Sequence, residues 1–101
     1  MQNSNKVSKV SFTKELSAYC PLGRQNYTAS IECGIKCGDT IPDYLDLDSN
    51  IDGLDGDMLT VEALARCVHD MTKSAFGGSP VHTVVSVGQS KHFPVTVEVC
   101  G

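Results

Sequence analysis

The sequence predicts an α+β fold of order β-β-α-α-β-β, a four-stranded antiparallel sheet with two helices across one face. Three observations carry this reading. Tyr27, Ala29, Ile31, Cys33 and Ile35 alternate with Thr28, Ser30, Glu32, Gly34 and Lys36, the period of a strand with one buried face. Val61, Leu64, Ala65, Val68, Met71, Ala75 and Phe76 recur at helical spacing. Val81, Thr83, Val85 and Val87, then Val95, Val97 and Val99, alternate again after that helix. Strand pairs at both ends with helices between them make two antiparallel hairpins.

Each element has a local cause. Residues 1–5 are polar and read as a tail, leaving one domain over 6–101. Val7 to Phe12 is β-prone with Val10 and Phe12 on one face, and this strand extends to about Tyr19. Pro21 to Asn26 connects it to the second strand, and Cys37-Gly38-Asp39-Thr40 ends that one. Pro42 suits the first turn of a helix, where its missing N–H is not needed, so a short helix is expected at about 42–51. The Gly- and Asp-rich stretch Asn50 to Gly56 turns the chain. Thr60 is a good N-cap for a longer helix at about 61–76, and Gly77-Gly78 stops it. Gly88 to His92 separates the last two strands. The sheet face away from the helices carries Thr, Ser and Glu, with Val84 among them.

A 101-residue chain buries only about 60–65% of the surface its unfolded form exposes, so a homo-oligomer is expected. The formal charge of −4, with eight basic residues against twelve acidic ones and no Lys/Arg run, disfavours nucleic acid and anionic membranes as partners. A small or neutral ligand fits better. The N-terminus lacks the apolar segment of a signal peptide, and no apolar run approaches the ~18 residues of a membrane-spanning helix. Five cysteines form an odd set, read as free thiols of a reducing, cytoplasmic compartment.

Several constellations could carry chemistry. Cys20 ends the first strand beside Pro21 and a tight loop, where a thiol reaches a cleft and Arg24 favours its thiolate. An inert buried cysteine is the competing reading. Glu62, in the first turn of the long helix, can accept two N–H bonds from a guanidine-like ring edge, or simply complement the helix dipole. Asp48 to Gly53 matches the D-x-N-x-D-G opening of a calcium-binding EF-hand loop, but the twelfth position is Leu59, which leaves a solvated acidic turn as the alternative. Cys33 and Cys37 have no second pair at zinc-ligand spacing, and His69, His82 and His92 are scattered, so no zinc site is expected. His92, with Lys91 at the last turn, is placed to touch a ligand or to form an exposed polar turn.

Two of these signals combine. Leu16-Ser17-Ala18-Tyr19-Cys20-Pro21-Leu22-Gly23-Arg24-Gln25 resembles the F-T-S-L-C-P-V-T-G-Q-P-D-F motif of the queuosine-pathway nitrile reductases (7-cyano-7-deazaguanine reductase). In that family the cysteine adds to a nitrile to form a thioimide, and a helix-borne glutamate anchors the deazaguanine ring. Leu54-Asp55-Gly56 and Leu59-Thr60-Val61-Glu62-Ala63-Leu64-Ala65 are similar to the L-D-H and P-T-x-E-N-L-A motifs of 6-pyruvoyl- and 6-carboxy-tetrahydropterin synthases. Lys91-His92-Phe93-Pro94 resembles dihydroneopterin aldolase. All belong to the tunnelling-fold (T-fold) superfamily, whose subunits join their sheets into a barrel.

The resemblance implies Cys20 and Asp55 as catalytic residues and Glu62, Thr60, Gln25, Asn26 and His92 as substrate-binding residues. It also implies departures. Asn26 or Tyr27 stands where the reductases carry their general-acid aspartate. Their E-S-K-S-L-K signature for NADPH is missing. The synthases' zinc motif H-G-H-N-Y becomes Gly23-Arg24-Gln25-Asn26-Tyr27. The expected function is binding of a guanine-, 7-deazaguanine- or pterin-like heterocycle at a subunit interface, with nitrile-directed cysteine chemistry. A metal-free pterin-synthase relative, a non-catalytic binding or assembly protein and a small calcium-binding module are the competing expectations.

Overall fold

The computed structural model describes residues 7–36, 38, 40–88 and 92–101. The expected tail at 1–5, together with Cys37, Asp39 and Lys91, lies outside the described residues. Strands β1 (Lys9–Cys20), β2 (Gln25–Lys36), β3 (Val81–Val87) and β4 (Val95–Cys100) form one sheet in the order β1-β2-β3-β4, all antiparallel. Helices α1 (Tyr44–Asp52) and α2 (Val61–Ala75) lie between β2 and β3 in sequence. No helix among the described residues is long and apolar enough to cross a membrane.

The alternation read from the sequence sets the faces. Leu16 and Ala18 of β1, the five apolar residues of β2 and Val81, Val85 and Val87 of β3 are buried with Leu64, Ala65, Val68 and Phe76 of the α2 region. α2 ends at Ala75. There Gly77 takes φ 70°, a left-handed value few side chains tolerate, and a Cβ at this position would lie 2.6 Å from the Thr40 Oγ1. Glycine is required here on both counts.

Three expectations need correction. Pro42 precedes α1 instead of opening it: Asp43 is the N-cap, its carboxylate accepting the N–H groups of Leu45 and Asp46 at 2.9 and 3.3 Å. Asp48 to Asp52 is the last turn of α1, not an acidic turn or an EF-hand loop. Its Asp48 and Asp52 carboxylates, one helical turn apart, converge on the Lys14 ammonium at 2.7 and 2.6 Å. Lys14 sits on the helix side of β1 between Phe12 and Leu16, where an apolar residue would otherwise stand. Its pairing with Asp48, then with Asp52, raises its pKa.

The third correction is polar. His69 and Thr72 are buried on the α2 face that packs against the sheet, alongside the apolar positions read from periodicity. His69 Nδ1 lies 3.0 Å from Thr83 Oγ1, and Thr83 in turn approaches Cys33 Sγ at 3.6 Å. Burial lowers the His69 pKa, outweighing the opposing pull of Asp70. A histidine held neutral in the fold contributes stability that is full above its unfolded value of about 6.5 and is lost as pH falls through its folded value. The urea midpoint is therefore expected to drop between pH 7.5 and pH 5.5, and His69→Gln is expected to flatten that drop. An unchanged pH slope in the variant would count against His69 as the titrating group.

Candidate functional site

The segment between the helices builds the site. After α1, residues 56–59 run along the free edge of β1 in the parallel sense, with Tyr19 and Met58 as partners. Gly56 N–H donates to the Ser17 carbonyl at 2.7 Å, Tyr19 N–H to that of Asp57 at 3.0 Å, and Leu59 N–H to that of Tyr19 at 3.0 Å. The Asp55 carboxylate accepts the Ser17 N–H at 2.8 Å. Asp55, a catalytic expectation, thus spends one oxygen on pinning this segment to β1. The result delivers the start of α2 to the end of the β1–β2 hairpin, where Cys20 sits.

Cys20 is half-buried and pairs with Gln25 across the hairpin. The four residues between them close through Arg24, whose N–H donates to the Cys20 carbonyl at 2.8 Å and whose φ is 52°. Gly23 N–H points at the Cys20 sulfur at 3.4 Å, within the range of an N–H···S bond. The thiol therefore faces a backbone donor supplied by its own turn. The Arg24 side chain is exposed.

Tyr27 is the residue that sequence reasoning missed. It is 5% exposed, and its hydroxyl donates to the Leu59 carbonyl at 2.6 Å. Its pKa is pushed up to about 12, chiefly by burial and further by the charges of Cys20 and then Glu62. The available signal was a tyrosine at an inward position of an otherwise apolar strand, since a buried hydroxyl needs a partner.

Thr60 is the N-cap of α2, accepting the Ala63 N–H at 3.1 Å, as its place before the helix predicts. Glu62 is exposed in the first turn and lines a shallow depression of about 400 Å³ with Thr60, Ala63, Arg66, Cys67 and Asp70. Asn26 is exposed and lines a second hollow of about 560 Å³, with Ser17, Tyr27, Thr28, Gly56 and Gly88 among its other walls. Gln25 is half-buried beside the Cys20 turn, its amide 3.4 Å from the point where a Gly23 Cβ would stand. His92 lies in the β3–β4 connection, donating from Nδ1 to the Phe93 carbonyl at 2.7 Å. That connection begins at Gly88, on the Asn26 hollow. Cys20, Glu62, Thr60, Gln25 and Asn26 thus gather at one end of the sheet, with His92 on the loop beside them. Among the described residues no three His, Cys, Asp or Glu side chains converge as metal ligands.

No protein-family model matches the sequence, and no curated protein does. Among solved structures, the crystal structure of the archaeosine synthase QueF-Like in the apo form superposes with a TM-score of 0.84, covering 96% of each chain at 15% identity. This chain has the T-fold. The likeness extends over both hairpins and both helices, so the fold expected from the sequence is the fold observed. Cys20 is the last residue of β1 and Glu62 lies in the first turn of α2.

Proposed function

We propose that this T-fold chain binds a guanine-like heterocycle, of the 7-deazaguanine class, at the end of the sheet that carries Cys20 and the start of α2. Glu62 grips the guanidine-like edge of the ring through paired N–H···O bonds. Cys20 is the nucleophile toward a nitrile on that ring. The observation that carries this reading is the seam of hydrogen bonds between residues 56–59 and β1, which brings the Thr60-capped start of α2 beside the Cys20 end of the β1–β2 hairpin. A thiol on one of these elements and a carboxylate on the other suit a ligand held at one edge and attacked at the other. The likeness to an archaeosine synthase supports deazaguanines over pterins, archaeosine being a 7-deazaguanine nucleoside.

The step is a balanced addition. The Cys20 sulfur bonds to the nitrile carbon, one C–N π bond opens, and the thiol proton passes to nitrogen, giving a thioimide. Leu22, Met58 and Phe93, exposed to 84%, 66% and 76%, project from the loops at this end of the sheet. Their burial in a homo-oligomer would wall the ring from water, which supports a site completed by a second subunit.

Incubation with a nitrile-bearing deazaguanine is expected to raise the melting temperature and to add the mass of the ligand to Cys20. A ligand at 100 times its dissociation constant stabilises by about 2.7 kcal/mol. Cys20→Ala should keep the thermal shift and lose the adduct. Iodoacetamide should label Cys20 ahead of the buried Cys33, with the ring protecting it. No thermal shift with any guanine, deazaguanine or pterin would sink the binding claim. A shift without an adduct would reduce the protein to a non-catalytic binder.

A further inference from the structure

A second hollow lies on the open face of the sheet, at the end remote from Cys20. Lys9 and Lys36 are directly opposed across β1 and β2, on the strand face turned away from the helices. Two positions along β2, Gly34 is flanked by Ser11 on β1 and His82 on β3. With no side chain at Gly34, the backbone lies open, and the Lys9 chain leans over the gap: a Cβ there would stand 3.4 Å from Lys9 Cε and 3.9 Å from Nζ. The resulting hollow, about 430 Å³, has Ser8, Lys9, Gly34, Lys36, His82 and Cys100 among its walls.

Like charges directly opposed across a ladder repel. Among the described residues neither lysine has a carboxylate at ion-pair distance: the pairs found there join Lys14 to Asp48 and Asp52, and His82 to Glu98. Glu98 is thus already engaged. Glu32 lies farther along the same face, beside Thr13 and Val84, and lines the neighbouring hollow instead. In a chain of net charge −4, two ammonium groups around a backbone notch, with no carboxylate paired to either among the described residues, are a local departure from the whole.

We propose that this hollow binds a phosphate group. A dianion between Lys9 and Lys36 removes their repulsion, and each ammonium offers several donors without imposing planar geometry. The Ser8 hydroxyl and the Gly34 backbone lie within the same walls. This site is separate from Cys20 and does not depend on its chemistry.

Inorganic phosphate, titrated at constant ionic strength against a chloride control, is expected to shift the Gly34 amide resonance saturably in the millimolar range. It should also slow alkylation of the exposed Cys100 while leaving that of Cys20 unchanged. Lys9→Met and Lys36→Met, both surface changes, should each weaken binding about tenfold or more. Gly34→Ala should fold, since the new methyl meets only the flexible end of Lys9, yet weaken binding by filling the notch. A nucleoside 5′-monophosphate binding more tightly than phosphate would show that the site takes an esterified group; equal affinity would show that the phosphate alone is read. No saturable response at millimolar phosphate, or parent-like affinity in both methionine variants, would overturn the proposal.

Discussion

Glu62→Gln is expected to abolish ring binding while leaving the fold intact. The carboxylate is exposed in the first turn of α2, where Thr60 already caps the helix. Its fold contribution is confined to the helix dipole, a few tenths of a kcal/mol at an exposed site. For a bound ring the change is larger. Replacing one acceptor oxygen by an NH2 group sets donor against donor, and an unpaired buried group costs about 1–3 kcal/mol or more. That corresponds to roughly ten- to a hundredfold in affinity. Isothermal titration of parent and variant with guanine, deazaguanine and pterin ligands, beside their melting curves, separates the two effects. Equal affinity for every ligand would leave Glu62 as a helix-terminal charge and nothing more.

The largest stability loss is expected at Tyr27. Tyr27→Ala removes a buried ring near the start of β2 and should cost about 3–5 kcal/mol, on the scale of other buried aromatic truncations. Tyr27→Phe isolates the hydroxyl. It strips the Leu59 carbonyl of its 2.6 Å donor and should cost roughly 1–2 kcal/mol. For a chain of this length each kcal/mol lowers the melting temperature by roughly 4–8 °C. The phenol also ties stability to alkaline pH. Its raised pKa means that its contribution is complete below the unfolded value of about 10 and fades as pH climbs toward 12. The Phe variant should lack that alkaline decline. A Phe variant as stable as the parent, with the same alkaline profile, would show that the bond to Leu59 carries no weight.

The elements were legible in the sequence wherever one face is buried. The Tyr27 to Ile35 alternation became β2, the Thr60 cap opened α2, and Gly77 ended it. The T-fold was legible too, from short motifs at Cys20 and Glu62 that the structural likeness supports at the level of fold. What escaped has a common cause. The parallel bonds between residues 56–59 and β1 join backbone to backbone, and no side-chain pattern announces them. Lys14 and His69 stand on inward faces because their partners, Asp48 and Asp52 in one case and Thr83 in the other, arrive from distant segments. Pro42 fell two residues before α1 because Asp43, between them, is its N-cap. Lys9 and Lys36 look solitary along the chain, and only strand register brings them face to face.

The bonds that hold residues 56–59 to β1 close a loop of long sequence separation, 38 positions between Ser17 and Asp55. The β1–β2 hairpin needs only a four-residue turn. Loop-closure entropy makes the hairpin the early, local event and this clasp the late one. A clasp of few bonds along a solvent-facing edge is also the natural first point of release, opening far below the free energy of global unfolding. Cys20 would then keep its hairpin turn and α2 its packing on the sheet, while the segment that joins them loosens. The register between the Cys20 turn and the start of α2 can thus slacken without the protein losing its fold, and a ligand touching both would hold that register.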